Sequence, residues 1–174
     1  MDAAASFGRV LAKGNIGLVY GGGSVGLMGA LAEAVLDGGG RVTGVIPEFL
    51  VNREHMLLRV QERIVTRDMH ERKRIMFERA DAFVALPGGI GTLEELFEVL
   101  SWRTLGLHTK PIVIVDQGGF WGPLAALLRG IVEGGFAERS HLDHLTFIGD
   151  LKELLPAIAA MPRTTGVEKR LDRV

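Results

Sequence analysis

The chain has 174 residues, 47% of them hydrophobic, with a formal net charge of −1. That length suits one domain with a sizeable core, and so small a net charge gives no general attraction to nucleic acid or to a membrane surface. The absence of cysteine excludes disulfides, thiolate metal sites and thiol nucleophiles. No apolar run reaches the ~20 residues that span a bilayer, and the N-terminus lacks a basic-then-apolar signal pattern, so a cytoplasmic protein is expected.

Residues Ala3 to Lys13 predict a helix ending near Gly14, and Ile16 to Tyr20 a short apolar strand. Gly21-Gly22-Gly23-Ser24 then turns into a helix from about Val25 to Leu36, stopped by Gly38-Gly39-Gly40. Val42 to Ile46 reads as a second strand, closed by Pro47, and Glu48 to Val65 mixes loop with a short strand. A helix follows over Asp68 to Arg79, where Asp68 and Glu71 have the spacing of a capping box. Ala82 to Leu86 is a strand, and Thr92 caps a helix running to about Thr104. Pro111 to Val115 is a buried strand; Trp121 to Val132 and Asp150 to Ala160 read as helices. Continuous apolar strands alternating with amphipathic helices predict an α/β fold with a parallel sheet covered on both faces. It forms one domain over residues 1–161, with a charged, frayed tail at 162–174.

Ligands of such sheets bind at the carboxyl ends of strands, and two glycine-rich loops leave strands there. The first, Gly21-Gly22-Gly23-Ser24-Val25-Gly26, satisfies G-x-G-x-x-G. A dinucleotide site also wants an acidic residue ending the next strand, and Glu48, behind Pro47, is a poor candidate. A tight turn or a contact with another ligand stays open beside that reading. The second loop, Leu86-Pro87-Gly88-Gly89-Ile90-Gly91-Thr92-Leu93-Glu94-Glu95, brings backbone N–H groups and a helix N-terminus to one point, which is a cradle for phosphate. It lacks the lysine of a nucleoside-triphosphate loop. Glu95 stands just beyond the cradle. Thr92-x-x-Glu95 is also a capping box in its own right, so Glu95 has a purely structural reading too. Glu94 and Glu95 are ~100° apart on a helix and do not face one small pocket together.

Arg72 has apolar neighbours at i+3 and i+4, Ile75 and Met76, which would put it at the rim of a cleft. The alternative is a solvated basic face shared with Arg67, Lys73, Arg74 and Arg79. His70 is a possible proton carrier or a plain surface histidine. His141 and His144 flank Asp143 without an evident third ligand, so no metal is expected; no cofactor is expected either.

Met69-His70-Glu71-Arg72-Lys73, then Pro87 to Glu95, together resemble the Lonely Guy (LOG) family, cytokinin riboside 5′-monophosphate phosphoribohydrolases often labelled possible lysine decarboxylases. Tyr20 to Gly29 and Trp102 to Pro111 fit the same pattern, and the resemblance runs up to Leu155. It implies a Rossmann-like fold and a homodimer with active sites near the subunit interface. It implies cleavage of the N-glycosidic bond of an N6-substituted adenosine 5′-monophosphate, releasing the free base and ribose 5-phosphate. Arg72 and Glu95 hold the catalytic positions. Gly22, Gly23, Glu54, Met69, Arg72, Lys73, Gly88, Gly89, Ile90, Gly91, Thr92, Leu93, Glu94 and Ser101 hold substrate-binding positions. Apolar helix faces carrying Leu96, Leu100 and Trp102 are candidate dimer contacts. The family opens with a strand and a Gly-Ser-rich loop, whereas this sequence starts within the following helix, so one strand of the sheet is expected to be missing. The alternative is a non-catalytic nucleotide or cofactor carrier on the same fold. No lysine sits in a recognisable pyridoxal-phosphate context for a decarboxylase.

Overall fold

A computed structural model describes residues 2–161; the predicted tail at 162–174 lies outside the described residues. The chain divides into two compact units, the first ending at Ala80 and the second starting at Asp81.

In the first unit, helix α1 (Asp2–Lys13) leads to β1 (Leu18–Tyr20), α2 (Gly26–Asp37), β2 (Val42–Pro47), a 3-10 turn at Glu48–Leu50, β3 (Glu62–Thr66) and α3 (Met69–Arg79). The strands form a parallel sheet in the order β1-β2-β3, with Leu18 opposite Val42 and Val45 opposite Ile64. Val42, Val45 and Ile46 of the middle strand are at most 1% exposed. Their branched side chains suit a strand with both faces covered, and burying each contributes ~1.5–3 kcal/mol. Helices α1 and α2 touch at Gly8, where a Cβ would lie 2.6 Å from the Leu31 carbonyl oxygen and 2.7 Å from Ala34 Cβ. Strand β3 is mostly exposed and carries Glu62 and Arg63, which is why its pattern is hard to read in the sequence.

The second unit runs β4 (Phe83–Ala85), α4 (Ile90–Thr104), β5 (Ile112–Val115), α5 (Gly122–Glu133), β6 (Leu145–Ile148) and α6 (Leu154–Ala160). Its sheet is again parallel, in the order β4-β5-β6. All four residues of β5 are buried. Ile112 and Ile114 join Ala85, Leu96, Trp121, Leu124, Leu128 and Leu145 in one core. Leu96 is therefore a core residue, not a dimer contact: at 5% exposure its side chain is enclosed within its own unit.

Parallel strands flanked by helices make this a Rossmann-like α/β fold, as the apolar strand runs predicted. Four elements differ from expectation. Strand β6 and the 3-10 helix before it, Arg139–His144, have no clear sequence signal. The last helix is split, with a 3-10 turn at Leu151–Glu153 ahead of α6. Helix α4 starts at Ile90, with Gly89 at its N-cap. Thr92 thus stands at the third helical position and does not cap α4; the capping box with Glu95 is absent for the same reason. The glycines before it let the chain enter the helix three residues early, at a cap residue with no side chain.

Candidate active site

Because all strands within a sheet run the same way, the segments that follow them share an edge. In the first unit these are Gly21–Gly23 after β1, Glu48 after β2 and the start of α3 after β3. The turn after β1 needs glycine at Gly22, whose φ of 82° lies in the left-handed region. A strap from the loop before β3 covers this turn. The Ser24 N–H donates to the carbonyl oxygens of Glu54 (3.2 Å) and His55 (3.0 Å), and the Leu57 N–H to that of Gly22 (3.0 Å). Gly23 and Met56 form an antiparallel bridge. The Ser24 N–H is thus committed to main chain, and Glu48 is exposed on its 3-10 turn. The G-x-G-x-x-G match forms a tight turn held by the strap.

The strap sets Glu54 against the turn: a Cβ on Gly23 would meet Glu54 Cβ at 3.4 Å. Glu54 Oε2 is buried and has no hydrogen-bond partner among the described residues; the same holds for the hydroxyl of Tyr20, at the end of β1. Burial, and secondarily the Glu33 carboxylate, pushes the Tyr20 phenol up to about 12, so it stays protonated.

Helix α3 begins as its spacing predicts. Asp68 is the N-cap and accepts from the Glu71 N–H at 2.8 Å. Glu71 does not close the box on Asp68. Its Oε2 accepts from the Arg67 N–H at 2.8 Å and from Arg67 Nε at 3.2 Å. These bonds hold both carboxyls below their ordinary range: at Asp68 the chief cause is the Glu71 N–H, and at Glu71 the Arg67 N–H. The cap fixes the first turn and so sets where Arg72 points. Arg72 is 6% exposed, while Arg67, Arg74 and Arg79 are exposed and Lys73 is half-buried. The solvated-face reading thus holds for Arg67, Arg74 and Arg79, only in part for Lys73, and fails for Arg72. Its Nη1 donates to the Met69 thioether at 3.7 Å. His70 is exposed.

In the second unit, the loop after β4 delivers the entry to α4. A Cβ on Gly88 would overlap Thr92 Oγ1 and lie 2.8 Å from Thr92 Cβ, so Thr92 folds back over Gly88. Gly89 supplies no side-chain cap, while the Leu93 N–H already bonds the Gly89 carbonyl at 3.1 Å. The N–H groups of Ile90, Gly91 and Thr92 precede any possible intrahelical acceptor, and the helix dipole adds positive potential there. Glu95 is half-buried and Glu94 exposed. Ser101 stands ~9 Å further along α4 than Glu95 and ~120° around it. Its hydroxyl donates to the Phe97 carbonyl at 2.7 Å. Ser101 lines a separate apolar groove of about 410 Å³ with Phe97, Leu100, Leu105, Leu128 and Phe136. The structure therefore groups Gly22, Gly23, Glu54, Met69 and Arg72 in the first unit and Gly88 to Thr92 with Glu95 in the second, and leaves Ser101 apart from the latter. His141 and His144 stack with centroids 6.0 Å apart. No group of three or more metal-ligating acids or histidines occurs among the described residues.

One buried histidine escaped the sequence reading. His108, 6% exposed, bonds the Val99 carbonyl through Nε2 at 2.8 Å and accepts from the Lys110 N–H at Nδ1 at 3.1 Å. It ties the end of α4 to the start of β5. Burial is the main reason its pKa lies below the ordinary value.

A glycine turn under a strap, a buried arginine at a capped helix start and, in the second unit, an uncapped glycine entry to a helix define a Rossmann-like protein with glycine-rich turns after its strands. The sequence profile of one family, described as "Possible lysine decarboxylase", matches residues 28–158. A probable cytokinin riboside 5′-monophosphate phosphoribohydrolase of Oryza sativa subsp. japonica is 47% identical over 154 residues, 88% of this chain and 63% of its own. A cytokinin riboside 5′-monophosphate phosphoribohydrolase of Arabidopsis thaliana is 45% identical, over 88% of this chain and 72% of its own. The chain belongs to this family, the LOG family of the sequence resemblance. It spans about two thirds of the length of these relatives. Among solved structures, the molybdenum cofactor binding protein of Rippkaea orientalis superposes with a TM-score of 0.69 at 20% identity, covering 91% of this chain and 85% of its own. The molybdenum cofactor carrier protein of Chlamydomonas reinhardtii gives 0.66 at 22%, covering 91% and 84%. At those identities the likeness is one of fold.

Proposed function

We propose that the protein is a phosphoribohydrolase that cleaves the N-glycosidic bond of adenosine 5′-monophosphates, N6-substituted or plain, to free base and ribose 5-phosphate. The observation that carries this reading is the uncapped entry to α4. A helix of 15 residues begins at a glycine with no side-chain cap, presenting N–H groups and a dipole to a phosphate, with Glu95 one turn further on. The names of the relatives supply the reaction class.

In this reading Gly88 to Thr92 hold the 5′-phosphate. Breaking the glycosidic bond builds positive charge on the ribose. The Glu95 carboxylate stabilises that charge or orients the attacking water. Arg72, buried at the first turn of α3, takes the role the family resemblance gives it, ordering the ribose hydroxyls. Glu54, with a buried oxygen in need of a donor, takes a substrate hydroxyl or amine. The released base takes a proton whose source stays unassigned.

The test is incubation with AMP, N6-isopentenyl-AMP and adenosine, followed by chromatography for free base. The monophosphates are expected to be cleaved and the nucleoside not. Each charge-assisted hydrogen bond to the phosphate is worth ~1.5–3 kcal/mol, so losing several costs orders of magnitude in rate. Comparable turnover of adenosine and AMP would rule out the phosphate cradle. The same reading includes a cytoplasmic homodimer. No helix among the described residues is long and apolar enough to cross a membrane. Leu105 and Phe136, 69% and 87% exposed, stand at the apolar groove on the second unit, where a second copy would cover them.

A further inference from the structure

We propose that Gly21 is a positioning residue for Arg72: the missing side chain at the end of β1 is the slot in which the Arg72 guanidinium lies. A Cβ at Gly21 would overlap Arg72 Nη2 and lie 3.2 Å from Cζ. The other neighbour within reach is Met28 Sδ, at 3.4 Å, which is ordinary contact. Gly21 is not among the glycines with positive φ, unlike Gly22 beside it. An alanine at Gly21 therefore meets no backbone strain, and the atoms it displaces are the far end of one flexible side chain. The requirement for glycine at this position comes from Arg72 and not from the turn.

Met69 completes the restraint. Its thioether, one turn before Arg72 on α3, accepts from Nη1. Nη2 thus occupies the space above Gly21 while Nη1 donates to sulfur, both within the first unit. A planar group with directional donors acts only in the right orientation, and misplacing a catalytic group by about 1 Å can cost ~10²-fold in rate. The functional side of this inference rests on the phosphoribohydrolase reading; the placement of the guanidinium does not.

The experiment therefore has two arms. In the first, native protein and Gly21→Ala are treated with phenylglyoxal, and the modification rate at each arginine is read by peptide mass spectrometry, with thermal melts alongside. In the native protein Arg72 is expected to react at least ~10-fold more slowly than exposed Arg67 and Arg74, because the guanidinium is enclosed. In Gly21→Ala its rate should rise to within a few fold of theirs, while Arg67, Arg74 and Arg103 keep their rates and the melting temperature stays within a few degrees. An unchanged Arg72 rate in a folded Gly21→Ala overturns the proposal; so does a rise at every arginine, which marks general loosening. If Gly21→Ala does not fold, the double variant Gly21→Ala/Arg72→Ala decides. It should fold as well as Arg72→Ala, since the clash has gone, and failure to do so overturns the proposal.

The second arm measures kcat and KM for AMP cleavage by Gly21→Ala, Arg72→Ala and the double variant. Gly21→Ala should lower kcat by ~10²-fold, and adding it to Arg72→Ala should lower kcat no further. Additive losses overturn the positioning role. A native protein that cleaves no nucleotide at all overturns the phosphoribohydrolase reading while the first arm still judges the slot.

Discussion

Arg72 and Glu95 are the two charged residues on which the proposed chemistry turns. For Glu95 the earlier start of α4 sharpens a test. Glu95 stands at the sixth helical position and not three residues after a cap, so Glu95→Gln removes charge without disturbing a capping box. Its melting temperature should stay within a few degrees while single-turnover cleavage falls ~10²-fold or more, the scale on which a preorganised electrostatic group acts. Glu94→Gln, on the exposed neighbouring position, should do much less. Near-native turnover of Glu95→Gln would leave the carboxylate without a chemical role. His108 gives a stability prediction at the same scale. Both ring nitrogens are bonded, one to a carbonyl and one to an N–H, so the native ring is neutral. Its pKa is lowered below the ordinary 6.5, chiefly by burial, and that of His144 is lowered as well. The unfolded chain then binds protons that the native state refuses, so stability should be level above about pH 7 and fall as pH drops below 6.5. Melting temperatures from pH 8 to 5 would show it. His108→Ala should flatten the slope to the share of His144, while costing ~1–3 kcal/mol at pH 8 for the two lost hydrogen bonds and the buried ring. An unchanged slope would place the linked protons elsewhere.

The elements show what a sequence pattern carries and what it does not. Helix α3 is legible because Asp68 is both the residue type and the residue position that a cap requires, and β5 because four branched apolar residues in a row admit one reading. Helix α4 is misplaced by three residues at its cap because glycine, as a cap, leaves no mark that distinguishes it from loop, while Thr92 displays a capping signal it does not use. Strands β3 and β6 are read poorly because each is a short edge strand that mixes polar or exposed residues with buried ones. The candidate site is legible in its residue types and not in its packing. Nothing in the spacing of Gly21 and Arg72 shows that one makes room for the other. Gly29 is a case of the same kind. A Cβ there would overlap the Ser24 carbonyl and lie 3.1 Å from Ser24 Cα. The obstacle is backbone, held in turn by the Glu54 and His55 carbonyls, so it cannot move aside as the Arg72 side chain can. Gly29→Ala should cost about 3 kcal/mol, at the upper end of overpacking effects, and loosen the strap. Denaturant unfolding would measure it, with Gly91→Ala, in open space, as the mild comparison.

For the whole molecule, the resemblance read from two motifs is matched by family membership, and the α/β class read from apolar runs is matched by the strand order. The division at Ala80 and Asp81 has no such precursor, because the junction lacks the proline, glycine or serine run that marks a linker. Self-association belongs at this scale. Light scattering at micromolar concentration is expected to report a dimer, and Leu105→Glu with Phe136→Glu to shift it to monomer by placing charge where apolar surface would be covered. A native protein that scatters as a monomer would remove the dimer from the proposed function. One feature of the sheets also governs how the chain reaches this state. Leu18 pairs with Val42, Thr43 with Glu62, Phe83 with Ile112 and Ile112 with Leu145, all in parallel. No two neighbouring strands are joined by a hairpin, so neither sheet can zip up from a local turn. Each pairing must close a long loop before it gains its hydrogen bonds. Refolding after dilution from denaturant should accordingly take milliseconds to seconds rather than microseconds, with helical signal returning before the burial of Trp121.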